Sequence, residues 1–134
     1  MKYGTVKKIE QTTENYFKAH ELECSCCNQL ILDVRLLYIL NVIRQFTGVP
    51  IIVSSGYRCP NHNKAIGGTP QSYHLYGQAA DIYSLSMPIE EFYEKIKLMS
   101  HFNSSEYGFI YYPDRKIVHV DCRGQSYRNV VYDK

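Results

Sequence analysis

No apolar run in this chain reaches the length needed to cross a membrane, which excludes a helical integral membrane protein. The opening residues, Met1 to Lys18, lack the apolar stretch of a secretory signal, so the expectation is synthesis in the cytoplasm without a signal peptide. A surplus of one charge sign is missing too: 15 Lys and Arg stand against 13 Asp and Glu, a net +2 that gives no compositional reason to invoke nucleic acid. Repeats, low-complexity tracts and linker-like stretches are absent, which argues against several domains. Residues 1–20 read as an N-terminal arm and 21–134 as one domain, long enough for a single hydrophobic core. The 5 cysteines are an odd number in a chain without a signal, which favours reduced thiols over a disulfide framework.

What is present is a mixture of helical and strand patterns. A short helix is expected around Glu14 to Ala19. Asp33 can cap a helix running to about Thr47, with Leu36, Leu37, Leu40, Ile43 and Phe46 on one buried face and Gly48 and Pro50 as the stop. Ile51 to Ser54 reads as a buried strand, Pro60 to Ile66 as one or two helical turns ended by Gly67-Gly68, and Ala79 to Tyr83 as a second strand. Ser86 and Pro88 open another helix reaching about Ser100, with Phe92, Ile96 and Met99 inward. Glu106 to Tyr112 and Ile117 to Cys122 flank the turn sequence Pro113-Asp114-Arg115-Lys116 and predict a β-hairpin; Asn129 to Tyr132 could add an edge strand. Helices interspersed with short strands, the clearest pair a hairpin, predict an α+β fold: a small antiparallel sheet flanked by helices.

The polar residues concentrate between Ser54 and Ile82. Gly77 works against a continuous helix, so His74 is expected on a loop and Asp81 on the strand that follows. An acid among Ala80, Ile82 and Tyr83 needs a partner, which a metal ion or Arg58 could supply. His119 has a similar setting among Ile117, Val118 and Val120, and strand alternation puts it on the same face as Asp121. Two imidazoles and one carboxylate leave a fourth position open, the ligand set of a catalytic zinc site. A lone histidine in a strand is more often a satisfied core residue, so the spacing alone does not decide.

The surrounding pattern does more. Ser55-Gly56-Tyr57-Arg58, His62-Asn63, Gly67-Gly68, Ser72 with His74, Gly77, Ala79, Asp81-Ile82 and His119-Val120-Asp121 with Arg123 together resemble the zinc D-Ala-D-Ala carboxypeptidase family, within the wider fold group shared with lysostaphin-type peptidases and the hedgehog signalling domain. The resemblance covers roughly residues 17–124. It implies a hedgehog/D,D-peptidase-like fold and Zn2+ held by His74, Asp81 and His119. It also implies a substrate-facing Arg58, gripping a carboxylate or stabilising an oxyanion, with Ser72 and Tyr73 near the substrate.

The implied function is hydrolysis of peptide bonds in bacterial peptidoglycan, by a D,D-carboxypeptidase or a cross-link endopeptidase such as a phage or prophage lysis enzyme. The expected partner is a peptidoglycan stem peptide met after export or lysis, with no nucleic acid, no membrane insertion and a monomeric protein. One position departs from the pattern. Branches of the family carry an acid three residues before the last histidine, where this chain has Lys116; Asp121 then becomes the candidate general base, or else a residue that orients His119. Glu106 and Asp114 are the other acids considered. Lys116 also keeps open a non-catalytic zinc-bearing module that binds cell wall or a partner.

Two further features stand apart. Cys24-Ser25-Cys26-Cys27 could contribute to a second metal site with Cys59, although buried thiols or a disulfide formed after export are the expected reading, because no second Cys-x-x-Cys unit follows. Tyr57, Tyr73, Tyr76, Tyr111 and Tyr112 flank the motif and are candidate cleft walls; His62 is expected on a solvated loop near them.

Overall fold

A computed structural model describes residues 15–122 and the backbone of 130–133. The order of elements is α1 (Ala19–Leu22), β1 (Leu30–Asp33), α2 (Val34–Thr47), β2 (Ile52–Ser55), α3 (Pro60–Ala65), β3 (Ala79–Tyr83), α4 (Ile89–Lys97), β4 (Gly108–Tyr112), β5 (Ile117–Asp121) and β6 (Val130–Asp133), with 3-10 turns at Tyr73–Tyr76 and Ser100–Asn103. The fold is α+β. Four strands form one antiparallel sheet in the order β2-β3-β5-β4, and β1 pairs with β6 in a separate antiparallel ribbon.

Alternation along β3 and β5 sets the layers. Ala80, Ile82, Val118 and Val120 have no exposed surface and point into the core, while Asp81, His119 and Asp121 take the other face. α4 packs against α2 and β5, contributing Phe92 and Ile96 to the core. Met99, just beyond α4, stays buried as expected. Burying a large aliphatic or aromatic side chain contributes roughly 1.5–3 kcal/mol, so each of these residues adds appreciably to stability.

α2 begins where the sequence predicts. The Asp33 carboxylate accepts from the Arg35 amide at 2.9 Å, and Gly48 ends the helix in the left-handed region at φ 74°. Leu36, Leu40 and Ile43 are buried as expected, joined by Ile39 and Thr47, while Leu37 is half-buried and Phe46 is 49% exposed. Thr47 enters the core because its hydroxyl bonds back to the Ile43 carbonyl at 2.7 Å.

Other expectations change. The first helix starts at Ala19, and residues 15–18 before it are not helical, with Asn15 and Phe17 buried against the domain; Glu14, where the helix was expected to begin, lies outside the described residues. β2 is a half-buried edge strand, not a buried one, because only β3 pairs with it. β1 was not foreseen; its partner β6 lies at the far end of the chain and overlaps the expected edge strand. The boundary drawn at residue 20 falls inside α1.

Asp33 also joins layers. It is fully buried, its amide donates to the Gly77 carbonyl at 2.9 Å, and its carboxylate accepts from Gln78 Nε2 at 3.1 Å. The chain reverses at Gly77 with φ 68°, and a Cβ there would lie 2.0 Å from the Ile31 carbonyl oxygen, so no other residue fits.

Candidate metal centre

The register of the sheet does most of the assembly. Asp81 on β3 lies directly opposite His119 on β5, Ala79 opposite Asp121, and Ser55 on β2 opposite Asp81 after an irregularity beyond Val53. The third member, His74, arrives from the 3-10 turn Tyr73–Tyr76, a conformation the sequence suggested only as a loop. Ser72 caps that turn by accepting from the His74 amide at 3.2 Å, and Gly77 closes it.

These elements bring one donor atom each from His74, Asp81 and His119 within 4.8 Å of one another. Asp81 Oδ1 lies 3.3 Å from His74 Nε2 and 3.0 Å from His119 Nδ1. The imidazoles meet edge to face with centroids 5.4 Å apart. Each ring has its far nitrogen engaged. His74 Nδ1 lies 2.8 Å from the Gly56 carbonyl, which can only accept, so Nδ1 carries a proton and Nε2 is the nitrogen turned toward Asp81, the one available to ligate a metal. His119 Nε2 lies 2.8 Å from Asp121 Oδ2, leaving Nδ1 toward Asp81. Imidazoles oriented by a carbonyl and a carboxylate behind them are the arrangement expected around a bound divalent metal. The residues present therefore fit a zinc ion.

The electrostatics agree. Burial opposes ionisation of Asp81, yet hydrogen bonds with His119 and then His74 outweigh it and hold the carboxyl well below the usual range. Burial likewise opposes charge on His119, but Asp121 and Asp81 raise its pKa. Such a cluster favours a cation at its centre, whether a proton or a metal ion.

Arg58 stands beside the three. Its Nη2 is 3.5 Å from Asp81 Oδ2, Nε donates to Ser55 Oγ at 3.1 Å, and Nη1 donates to Asn63 Oδ1 at 3.2 Å. Burial lowers its pKa despite the Asp81 carboxylate. Asn63, buried on α3, is itself fixed by donating Nδ2 to the Thr69 carbonyl at 2.8 Å.

A cleft of about 360 Å3 opens over the cluster, and Arg58, Ser72, Tyr73, His74, Asp81 and His119 all line it. Tyr112 and Arg115 line it too, the Arg115 guanidinium lying 4.2 Å from the centre of the Tyr112 ring. Arg115 was legible only as a turn residue; that it lines this cleft could not be read from its neighbours.

Other expected wall residues lie elsewhere. Tyr57 is buried in the core and Tyr111 stacks on Tyr93 at 4.9 Å. His62, expected on a solvated loop, lies on α3 beside Ser25, at 3.4 Å. Asp121 is fully buried, on the side of the His119 ring away from Asp81. Among the described residues lining the cleft, no carboxylate other than Asp81 occurs. Lys116, in the left-handed region at φ 55°, is exposed on the hairpin turn.

Comparison with known proteins adds a family. The model of the family described as Peptidase M15 matches residues 10–121, most of the chain. No curated protein and no solved structure matches.

Proposed function

The chain belongs to the peptidase M15 family, metallopeptidases of the zinc D-Ala-D-Ala carboxypeptidase type, and from that premise we propose that it hydrolyses a peptide bond in the stem peptides of bacterial peptidoglycan. The observation that carries this reading is the convergence of His74, Asp81 and His119 beneath a cleft walled by Arg58 and Arg115.

Zinc held by His74, Asp81 and His119 would supply an activated water and polarise the scissile carbonyl. The protein's own groups do the rest. Gly56 and Asp121 keep the two imidazoles in the tautomers that present His74 Nε2 and His119 Nδ1. Arg58, fixed through Ser55 and Asn63, offers its guanidinium to the oxygen that gains negative charge as the carbonyl is attacked. Arg115, at the rim, suits the free carboxylate at the end of a stem peptide, and the Tyr73 and Tyr112 rings can flank the peptide. Asp121 acts through His119 in this scheme, because burial behind the ring keeps it from a water in the cleft. A wall-lytic enzyme of the kind phages use, working as a monomer after export or lysis, is the setting such a substrate implies.

The test is direct. Purified protein with one equivalent of zinc at this site is incubated with muropeptides, and the products are analysed by mass spectrometry. Released D-alanine identifies a carboxypeptidase, split dimers an endopeptidase. Zinc-loaded protein that cleaves no wall chemotype rejects the proposal. The lack of a second carboxylate among the described cleft residues favours one rival, a zinc-bearing module that binds wall peptides without cutting them. Such a module would bind muropeptides with no turnover.

A further inference from the structure

Away from the cleft, four thiols meet. Cys24, Cys26, Cys27 and Cys59 place their Sγ atoms within 4.8 Å of one another, and all are free. Cys26 Sγ is 3.6 Å from that of Cys24 and 3.3 Å from that of Cys59. A zinc ion with four thiolates at about 2.3 Å sets sulfur–sulfur separations of about 3.8 Å, close to those found here. We propose that these four cysteines form a second metal site, a closed tetrathiolate centre for a structural Zn2+.

The backbone is built for it. Cys24, Cys26 and Cys27 sit on one tight turn, closed by the Cys24 amide donating to the Gln29 carbonyl and the Asn28 amide to the Cys24 carbonyl, both at 2.8 Å. Asn28 takes the left-handed conformation, φ 60°, that brings the chain round. Cys59 comes from the start of α3. Amide N–H groups then reach the sulfurs: Cys59 N–H donates to Cys24 Sγ and His62 N–H to Cys59 Sγ, each at 3.4 Å. Such bonds stabilise thiolates.

Four S–H bonds break, four Zn–S bonds form and four protons leave to solvent, with no change of oxidation state.

The site has work to do in the fold. Cys59 follows Arg58, and the same loop carries Gly56, whose carbonyl orients His74. A zinc ion here would clamp that loop to the turn after α1. The inference does not rest on the catalytic reading, since it concerns different residues.

Two zinc ions per chain are expected in protein purified under reductant, against one for Cys26→Ser/Cys27→Ser. Both side chains are exposed, so their loss need not prevent folding. His119→Ala should lose the other ion and keep this one. On the unmutated chain, Co2+ loading should give an intense sulfur-to-cobalt charge-transfer band that persists in His119→Ala, and a thiol-specific mercurial should release one zinc. Bound cobalt without that band, a mercurial that releases no zinc, or fewer than five free thiols on denaturation without reductant would overturn the proposal.

Discussion

His74 Nδ1–H donates a hydrogen bond to the carbonyl of Gly56, 2.8 Å away, and so the loop that carries Arg58 also sets the direction in which His74 presents its other nitrogen. Gly56 is itself pressed against α1: the Tyr57 amide donates to the Leu22 carbonyl at 2.8 Å, and a Cβ on residue 56 would lie 2.5 Å from that oxygen.

Gly56→Ala should therefore do two things at once. Forcing the loop off α1 costs about 1–3 kcal/mol, as overpacking of a tight contact does. The displaced carbonyl should also weaken zinc binding, which a competing chelator would measure beside a thermal melt. Lower stability with unchanged zinc affinity would separate the loop from His74.

Asp121 lies 2.8 Å from His119 Nε2 with no exposed surface. Asp121→Asn is expected to lower zinc affinity roughly 10–100-fold, the usual cost of losing a group that orients a ligand. With zinc made saturating, most activity should return. Activity that stays lost at full zinc occupancy would instead make Asp121 the base.

The two arginines should divide the kinetics. Arg58→Ala removes a donor from the carbonyl under attack and should cut kcat by about 10²–10³. Arg115→Ala should mainly raise KM, about 10–100-fold if it holds a carboxylate through a charged hydrogen bond. An amidated substrate should abolish the Arg115 effect and leave that of Arg58.

Stability of the metal-free protein should depend on pH from both sides. The lowered Asp81 contributes stability above the ordinary carboxylate range, about pH 4, lost as pH falls through its folded value. The raised His119 contributes below about pH 6.5, lost as pH rises through its folded value. Melting temperature with chelator should peak between these limits. The gain from added zinc should grow as pH rises, because protons compete with the ion for His119.

Local chemistry made much of this legible. Asp33 as a cap, Gly48 as a stop, the alternation around His119 and the hairpin turn each act within a few residues, and each element formed near its expected place. One miss is local: Phe46 lies outside the buried side of α2, which runs through Leu36, Ile39, Leu40, Ile43 and Thr47. The others come from distance along the chain: Leu30–Asp33 forms a strand by pairing with Val130–Asp133, and Arg115 lines the cleft beside Arg58 and Ser72, far from it in sequence. The cysteines show the same limit: three lie together in sequence, but the fourth is supplied by α3, so the spacing looked incomplete.

Asp33 binds the cap of α2, the turn at Gly77 and the Gln78 amide into one buried knot. The His74 turn consequently has little freedom to melt while the main helix persists, and deuterium should enter the Asp33 amide only when α2 opens as well. A centre kept in shape by the core meets its ion ready-made. Uptake should then run at a rate proportional to free zinc, with no slow ordering step ahead of it.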